Sequence, residues 1–227
     1  MSLYIADFGS QNLVNFEKLG KSGCVGVILR ATRSNEKDDV LYPSRRELAR
    51  NNGLLTSAYA FNTGEPPAVQ VKRFLDWANL DPDEGGYLDL ERNPGGTGQM
   101  TLSMTIEWLD RYDQAMGRYC GLYSGDVIKT LITRATDTAR DFLAKHPLWG
   151  CEYGPRWKHV DANGNLLPWL DPPFLWQYTG DGIGPEPHTF DGLEDGADLS
   201  VFDGTIEELK AQWALPGIPV PQSPLVA

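Results

Sequence analysis

The stretch YLDLERNPGG, residues 87–96, places two acids one residue apart at the end of an apolar run, with a Pro-Gly loop directly after them. In an extended strand, side chains two positions apart point the same way. Asp89 and Glu91 therefore share a face, with Cα atoms roughly 7 Å apart. Neighbouring carboxyls do not ionise independently: partial burial and the adjacent negative charge keep one of them protonated toward neutral pH. A neutral carboxylic acid can hand a proton to a glycosidic oxygen, while a second carboxylate supports the oxocarbenium-like centre that develops. The competing reading of a lone Asp-x-Glu is an ion pair with Arg92 at a sheet rim.

Two more acids stand at strand ends, Asp7 in YIADFGSQ and Asp198 in GADLSVF. Singly, each could be a turn or capping residue. If the first and last strands are neighbours in a closed barrel, both face the Asp89–Glu91 pair across one mouth. Tyr59 in AYAF and Trp176, Gln177 and Tyr178 in FLWQYT are candidates for substrate contact, because sugar rings stack on aromatics and amides bond their hydroxyls. Trp176 and Tyr178 share a face, so one or both could line a cleft.

Other chemistries lack their motifs. The chain has no HExxH, and His146, His159 and His188 are expected to be exposed or structural, so no metal and no cofactor is expected. No GxSxG supports a serine triad. The loop after the first strand is not GxGxxG, and GGTG at 95–98 lacks the GK[ST] of a phosphate loop. Asp161, Asn163 and Asn165 begin like a calcium loop, but Leu166 and Pro172 stand where Gly and Glu are needed.

The elements that must position these groups alternate. LYIADF, CVGVILRAT, LLTSAYAF, GGYLDLE and RYCGLYSG read as strands. Each is followed by an amphipathic stretch that reads as helix, the longest being QMTLSMTIEWLDRYDQAMG and DVIKTLITRATDTARDFLAKH. Repeated strand–helix units predict a parallel sheet. After His146 the pattern changes to the strands LWGCEY, FLWQYT and ADLSVF, a hairpin around Asn163-Gly164, and a final helix TIEELKAQW. About eight parallel-type strands, the first five joined by helices, predict an α/β closed barrel, with an open doubly wound sheet as the alternative. The barrel domain is expected over 1–213, followed by a proline-rich tail over 214–227.

With 227 residues, one large domain can bury its own core without disulfides. Cys24, Cys120 and Cys151 are widely spaced with no CxxC, and the first two read as small buried hydrophobes. A net charge of −11 makes nucleic acid and anionic membranes improbable partners. No apolar run reaches the ~18 residues of a membrane span, and MSLYIADFGSQ does not read as a secretory signal. A monomer is expected.

Taken together, YIADFGSQN, GVILRAT, GLLTSAYAF, YLDLE, FLWQYT and ADLSVF resemble, in order and spacing, glycoside hydrolase family 25, the Chalaropsis-type lysozymes or muramidases. The resemblance runs from about Tyr4 to Leu209. It implies an irregular, TIM-barrel-like (β/α) barrel of five βα units and three further strands with few helices. It implies hydrolysis of the β-1,4 bond between N-acetylmuramic acid and N-acetylglucosamine in peptidoglycan glycan strands. By the same resemblance Glu91 is the proton donor, and Asp89 stabilises the developing charge or orients the N-acetyl group. Asp198 activates water or supports the intermediate, and Asp7 completes the acidic cleft, with Tyr59, Trp176, Gln177 and Tyr178 against sugar. Two positions depart from the family's usual pattern. Its opening Asp-x-Ser-x-x-Gln reads here as Asp7, Gly9 and Asn12, and Ala60 stands in AYAF where many members carry histidine. The expected setting is a phage or prophage endolysin, made in the bacterial cytoplasm and released to the wall through a holin pore. The rival readings are a barrel glycosidase acting on chitin or another glycan, and a non-catalytic glycan-binding module.

Overall fold

The computed structural model describes residues 2–33, 37–93, 98–158, 160, 167, 172–194 and 196–215. The expected hairpin at Asn163-Gly164, His159 and the tail from 216 onward lie outside the described residues. The strands are β1 (Ser2–Phe8), β2 (Cys24–Arg33), β3 (Lys37–Asp38), β4 (Leu55–Phe61), β5 (Gly86–Asp89), β6 (Gly121–Ser124), β7 (Leu148–Cys151), β8 (Leu175–Thr179) and β9 (Asp198–Asp203). The helices are α1 (Phe16–Leu19), α2 (Tyr42–Asn51), α3 (Pro67–Ala78), α4 (Leu102–Met116), α5 (Asp126–Thr133), α6 (Asp137–Leu143) and α7 (Ile206–Trp213).

The strands run β1-β9-β8-β7-β6-β5-β4-β2-β3 around one sheet, and pairing of β1 with β2 closes it, leaving β3 as a short flap. The fold is thus a closed eight-stranded barrel, with five strand–helix units followed by three strands. One feature corrects the expectation of all-parallel strands. β9 runs antiparallel to both β1 and β8, so the barrel is mixed. The reversal brings the start of β9, rather than its end, to the mouth where the parallel strands finish.

Alternation along each strand separates two packing layers. Outward residues such as Val27, Leu29, Ala58, Leu88 and Leu122 pack with Phe74, Trp108 and Tyr112 of the helices. Inward residues Ile5, Ile28, Tyr59, Tyr87, Tyr123, Trp149, Leu175 and Phe202 fill the barrel. Trp149 is the hub of that filling: the rings of Tyr123 and Tyr87 lie 4.4 and 5.4 Å from its own, and its indole N–H donates to Ser200 Oγ at 2.8 Å. At the N-terminal end of the parallel strands, Leu209 and Trp213 of α7 join Leu215 in closing the bottom. The Trp213 indole donates to Thr56 O at 2.8 Å. The Thr205–Glu208 capping box starts this helix. Leu215, just beyond this helix, is buried as well.

Candidate active site

The bottom is plugged and the middle filled by rings, and the acids gather at the opposite mouth. Inward alternation delivers Asp7 from the end of β1 and Asp198 from the start of β9, and the two are direct register partners. Asp89 closes β5, in register with Phe61 on one side and Tyr123 on the other. Glu91 follows two residues later. Its backbone is fixed, because its carbonyl accepts from Asn62 Nδ2 and Gln99 Nε2, each at 2.9 Å. One residue earlier, Leu90 N–H donates to Tyr123 O, and Leu90 O accepts from Ser124 Oγ. The four acids proposed from sequence thus converge on one mouth.

Their charges are shaped chiefly by burial. Asp7 is held well above the usual carboxylate range by desolvation, then by the charges of Asp198 and Glu91, with a hydrogen bond from Gln177 opposing. Asp89 is also held well above it by desolvation, then by Glu91 and Asp7, with Arg30 opposing. Only 5 % of Asp89 is exposed, and its Oδ1 has no hydrogen-bond partner among the described residues. Burial raises Glu91 as well, as does the charge of Asp181, while a Tyr123 hydrogen bond pulls it down. Asp198 is pushed up to about 7 by burial and by the charges of Asp181 and Glu91. A cluster of this kind shares fewer charges than it has carboxyls, so at least one member remains a proton donor near neutral pH.

The proposed aromatic contacts divide. Tyr59 lies in the barrel interior, where burial, and then the charges of Asp89 and Asp7, raise its phenol. Gln177 also faces inward and donates from Nε2 to Asp7 Oδ2 at 3.1 Å. Trp176 and Tyr178 do share a face, but it is the other one, which corrects the expectation that they line the cleft. Alternation along β8 sends both into the outer layer. There Trp176 donates to Glu152 O at 2.9 Å and Tyr178 to Pro187 O at 2.7 Å.

Several residues join the site that sequence reasoning did not single out. Tyr123 stands on β6 level with Asp89. Asp181 lies in the turn after β8, in the left-handed region with φ of 51°. Tyr153 meets Asp198 over Gly180, where a Cβ would lie 2.2 Å from Asp198 Oδ1 and 2.3 Å from the Tyr153 hydroxyl. Arg30 supplies an opposing cation to Asp89. It bonds Ser10 Oγ at 3.2 Å and Gln11 Oε1 at 2.9 Å, and pairs with the buried Asp39 at 3.4 Å. Its guanidinium lies directly on Gly9, where a Cβ would be 2.4 Å from the Arg30 Cζ. A side chain at position 9 would have to turn the end of the Arg30 side chain aside. Ala60 belongs to the outer layer, so this departure does not touch the mouth. A signal for Arg30 was present in the sequence, as a lone charge in the apolar strand GVILRAT two positions beyond Ile28.

Two openings flank the acids. A cleft of about 470 Å3 is lined by Glu91, Arg92, Asp126, Lys129, Glu152 and Tyr153 among others. A smaller hollow of about 40 Å3 lies against Asp7 and Asp198 on the side of Asn12, Leu13 and Leu193. Lys129 pairs with Glu152 at 2.7 Å and lies 5.1 Å from the centre of the Trp157 ring.

Comparison with known proteins accords with this geometry. The family model for glycosyl hydrolases family 25 matches residues 7–186, which includes Asp7, Asp89 and Glu91 and stops short of Asp198. The Escherichia coli (strain K12) protein YegX is 26 % identical over 210 residues, spanning 88 % of this chain and 69 % of that protein. Among solved structures, the bacterial lysozyme from Streptomyces coelicolor superposes with a TM-score of 0.76 at 20 % identity, covering 93 % of this chain and 96 % of that one. A family GH25 lysozyme from Aspergillus fumigatus gives 0.74 at 23 % identity, covering 94 % and 100 %. The catalytic domain of endolysin ply40 from bacteriophage P40 of Listeria monocytogenes gives 0.66 at 19 % identity, covering 92 % and 98 %. The family model spans most of the chain and the acids stand together at one barrel mouth: the chain belongs to glycosyl hydrolases family 25 and is a glycoside hydrolase.

Proposed function

We propose that the chain cleaves the β-1,4 bond between N-acetylmuramic acid and N-acetylglucosamine in peptidoglycan, with Glu91 as the general acid. The observation that carries this reading is the convergence of Asp7, Asp89, Glu91 and Asp198 on one mouth, with the Glu91 carboxyl raised above its ordinary range by burial and opening onto the larger cleft. Protonated Glu91 gives its proton to the bridging oxygen as the bond breaks. The positive charge that grows on the sugar meets the remaining carboxylate charge of the cluster. Asp89, with Arg30 favouring its ionised form, lies next to Glu91 and serves the developing charge or the N-acetyl group. Asp198 is the candidate to activate water or support the intermediate. Tyr59 lies beneath this pair. The cations Arg92 and Lys129 line the cleft of a chain that otherwise repels anionic polymers.

The test is digestion of purified peptidoglycan beside chitin, read by mass spectrometry. Release of fragments with N-acetylmuramic acid at the reducing end is the expected result. Glu91→Gln should lower that rate by 10²–10⁴-fold, the usual order for loss of a general acid, while glycan binding persists. Chitin cleavage with intact peptidoglycan, or undiminished hydrolysis by Glu91→Gln, overturns the assignment. The setting we attach to this activity is that of an endolysin. The same digestion run on intact bacteria that produce the chain should then proceed only once their membrane has been opened. Lysis with the membrane undamaged refutes that setting.

A further inference from the structure

The cleft that Glu91 lines departs in charge from the rest of the chain, whose formal charge is −11. At its wall the Glu152 carboxylate is shared by two lysines, Lys129 at 2.7 Å and Lys158 at 3.7 Å. A single negative charge thus answers two positive ones. Lys129 is largely buried and lies 5.1 Å from the centre of the Trp157 ring, so it is held in place. Arg92, next to Glu91, is exposed, lines the same cleft and has no ion-pair partner among the described residues. The other acid lining the cleft is Asp126, also exposed. With Glu91 neutral as proton donor, the cations Arg92, Lys129 and Lys158 outnumber the carboxylates Asp126 and Glu152. An unpaired guanidinium offers a planar fork of N–H donors that matches the two oxygens of a carboxylate.

Chitin is uncharged along its length. In peptidoglycan, each muramic residue bears at O3 a lactyl ether whose carboxyl is free or amide-linked to a peptide stem, and the stem carries carboxylates of its own. Arg92 directly follows the general acid, with Cα atoms ~3.8 Å apart. Its long side chain is therefore placed for a substituent on a ring beside the scissile bond. We propose that Arg92 is a specificity-determining residue that receives a carboxylate of the lactyl arm or of its stem. The Lys129–Glu152–Lys158 cluster supplies the positive field that favours an anion there. The proposal rests on the peptidoglycan reading, and it explains how an acidic chain would accept a charged glycan over a neutral one with the same backbone.

The experiment compares kcat/KM on soluble peptidoglycan strands before and after carbodiimide and ammonium chloride convert their carboxyls to amides. At low ionic strength the untreated strands should be preferred by about tenfold, the order of one charge-assisted hydrogen bond, chiefly through KM. Added salt should shrink that preference. Arg92→Gln should act on the two kinds of strand equally, Arg92→Lys should keep part of the preference, and Asp126→Asn should widen it. Strands freed of stems by an amidase keep the lactyl carboxylate. Processing at the untreated rate assigns that group to Arg92, and processing at the amidated rate assigns the stem carboxylate. Equal rates on untreated and amidated strands, or a preference that survives Arg92→Gln, would overturn the proposal. Binding of the same strands to Glu91→Gln gives the comparison without cleavage. A binding preference in a chain whose wild type leaves every strand uncut would refute the assigned activity and retain the carboxylate site.

Discussion

Replacing Asp198 by asparagine should stabilise the protein while impairing its chemistry, and the gain should depend on pH in a defined way. Burial, Asp181 and Glu91 push the carboxyl from 3.8 up to about 7. In the unfolded chain those causes are absent. A folded-state value above the unfolded one means that folding is favoured when the group is neutral and penalised once it ionises. The penalty is absent below pH ~4, opens as pH rises through the unfolded value, and is complete above the folded value near 7. The full rise corresponds to about 4 kcal/mol at about 1.36 kcal/mol per unit. Because water still reaches part of the carboxyl, about 2–4 kcal/mol is the expected range. Urea denaturation of wild type and Asp198→Asn from pH 4 to pH 9 measures it directly. The two curves should coincide at the acid end and separate progressively to a plateau above pH 7. A gap that is the same at both ends, or an asparagine variant less stable at pH 9, would refute the argument that burial of this carboxyl is a cost carried for function.

Two further substitutions probe the frame around the site. Glu84 is buried, and hydrogen bonds from Arg46, Thr56 and the Asp81 N–H outweigh its desolvation and hold it below the ordinary range. Glu84→Gln should therefore cost about 3–5 kcal/mol at neutral pH, as expected for breaking one side of a buried pair. The difference should shrink as the medium is acidified through the range where Glu84 would protonate, and denaturant midpoints at pH 7 and pH 4 check both statements. Trp213→Ala removes the bottom plug and should cost about 3–5 kcal/mol. Hydrolysis per folded molecule should be unchanged, since Trp213 sits at the end of the barrel away from the acids; an unaltered urea midpoint would deny the plug its role.

How much could be read in advance depended on whether a residue's position is fixed locally or by its neighbours in space. The period of two in YLDLE is local, and it put Asp89 and Glu91 on one face before any fold was known. The repeated strand–helix units are local too, and they gave the barrel. The direction of β9 is not. A short strand with no crossover helix reads the same both ways, and only its pairing with β1 and β8 reveals the reversal. Trp176 and Tyr178 failed for a related reason. Alternation says that they oppose Gln177, but which set faces inward is decided by register with Cys151 and Ser200 on the flanking strands. Tyr123 carried no mark in RYCGLYSG beyond being aromatic in a strand, and its place beside Glu91 arises from the pairing of β5 with β6.

The seat of Arg30 on Gly9 ties the loop after β1 to the charge balance of the acids. A Cβ at position 9 would meet the guanidinium, which ends a flexible side chain and can turn aside. Such a turn would move the cation that opposes the Asp89 charge, so a side chain at position 9 would be felt at a carboxyl that it does not touch.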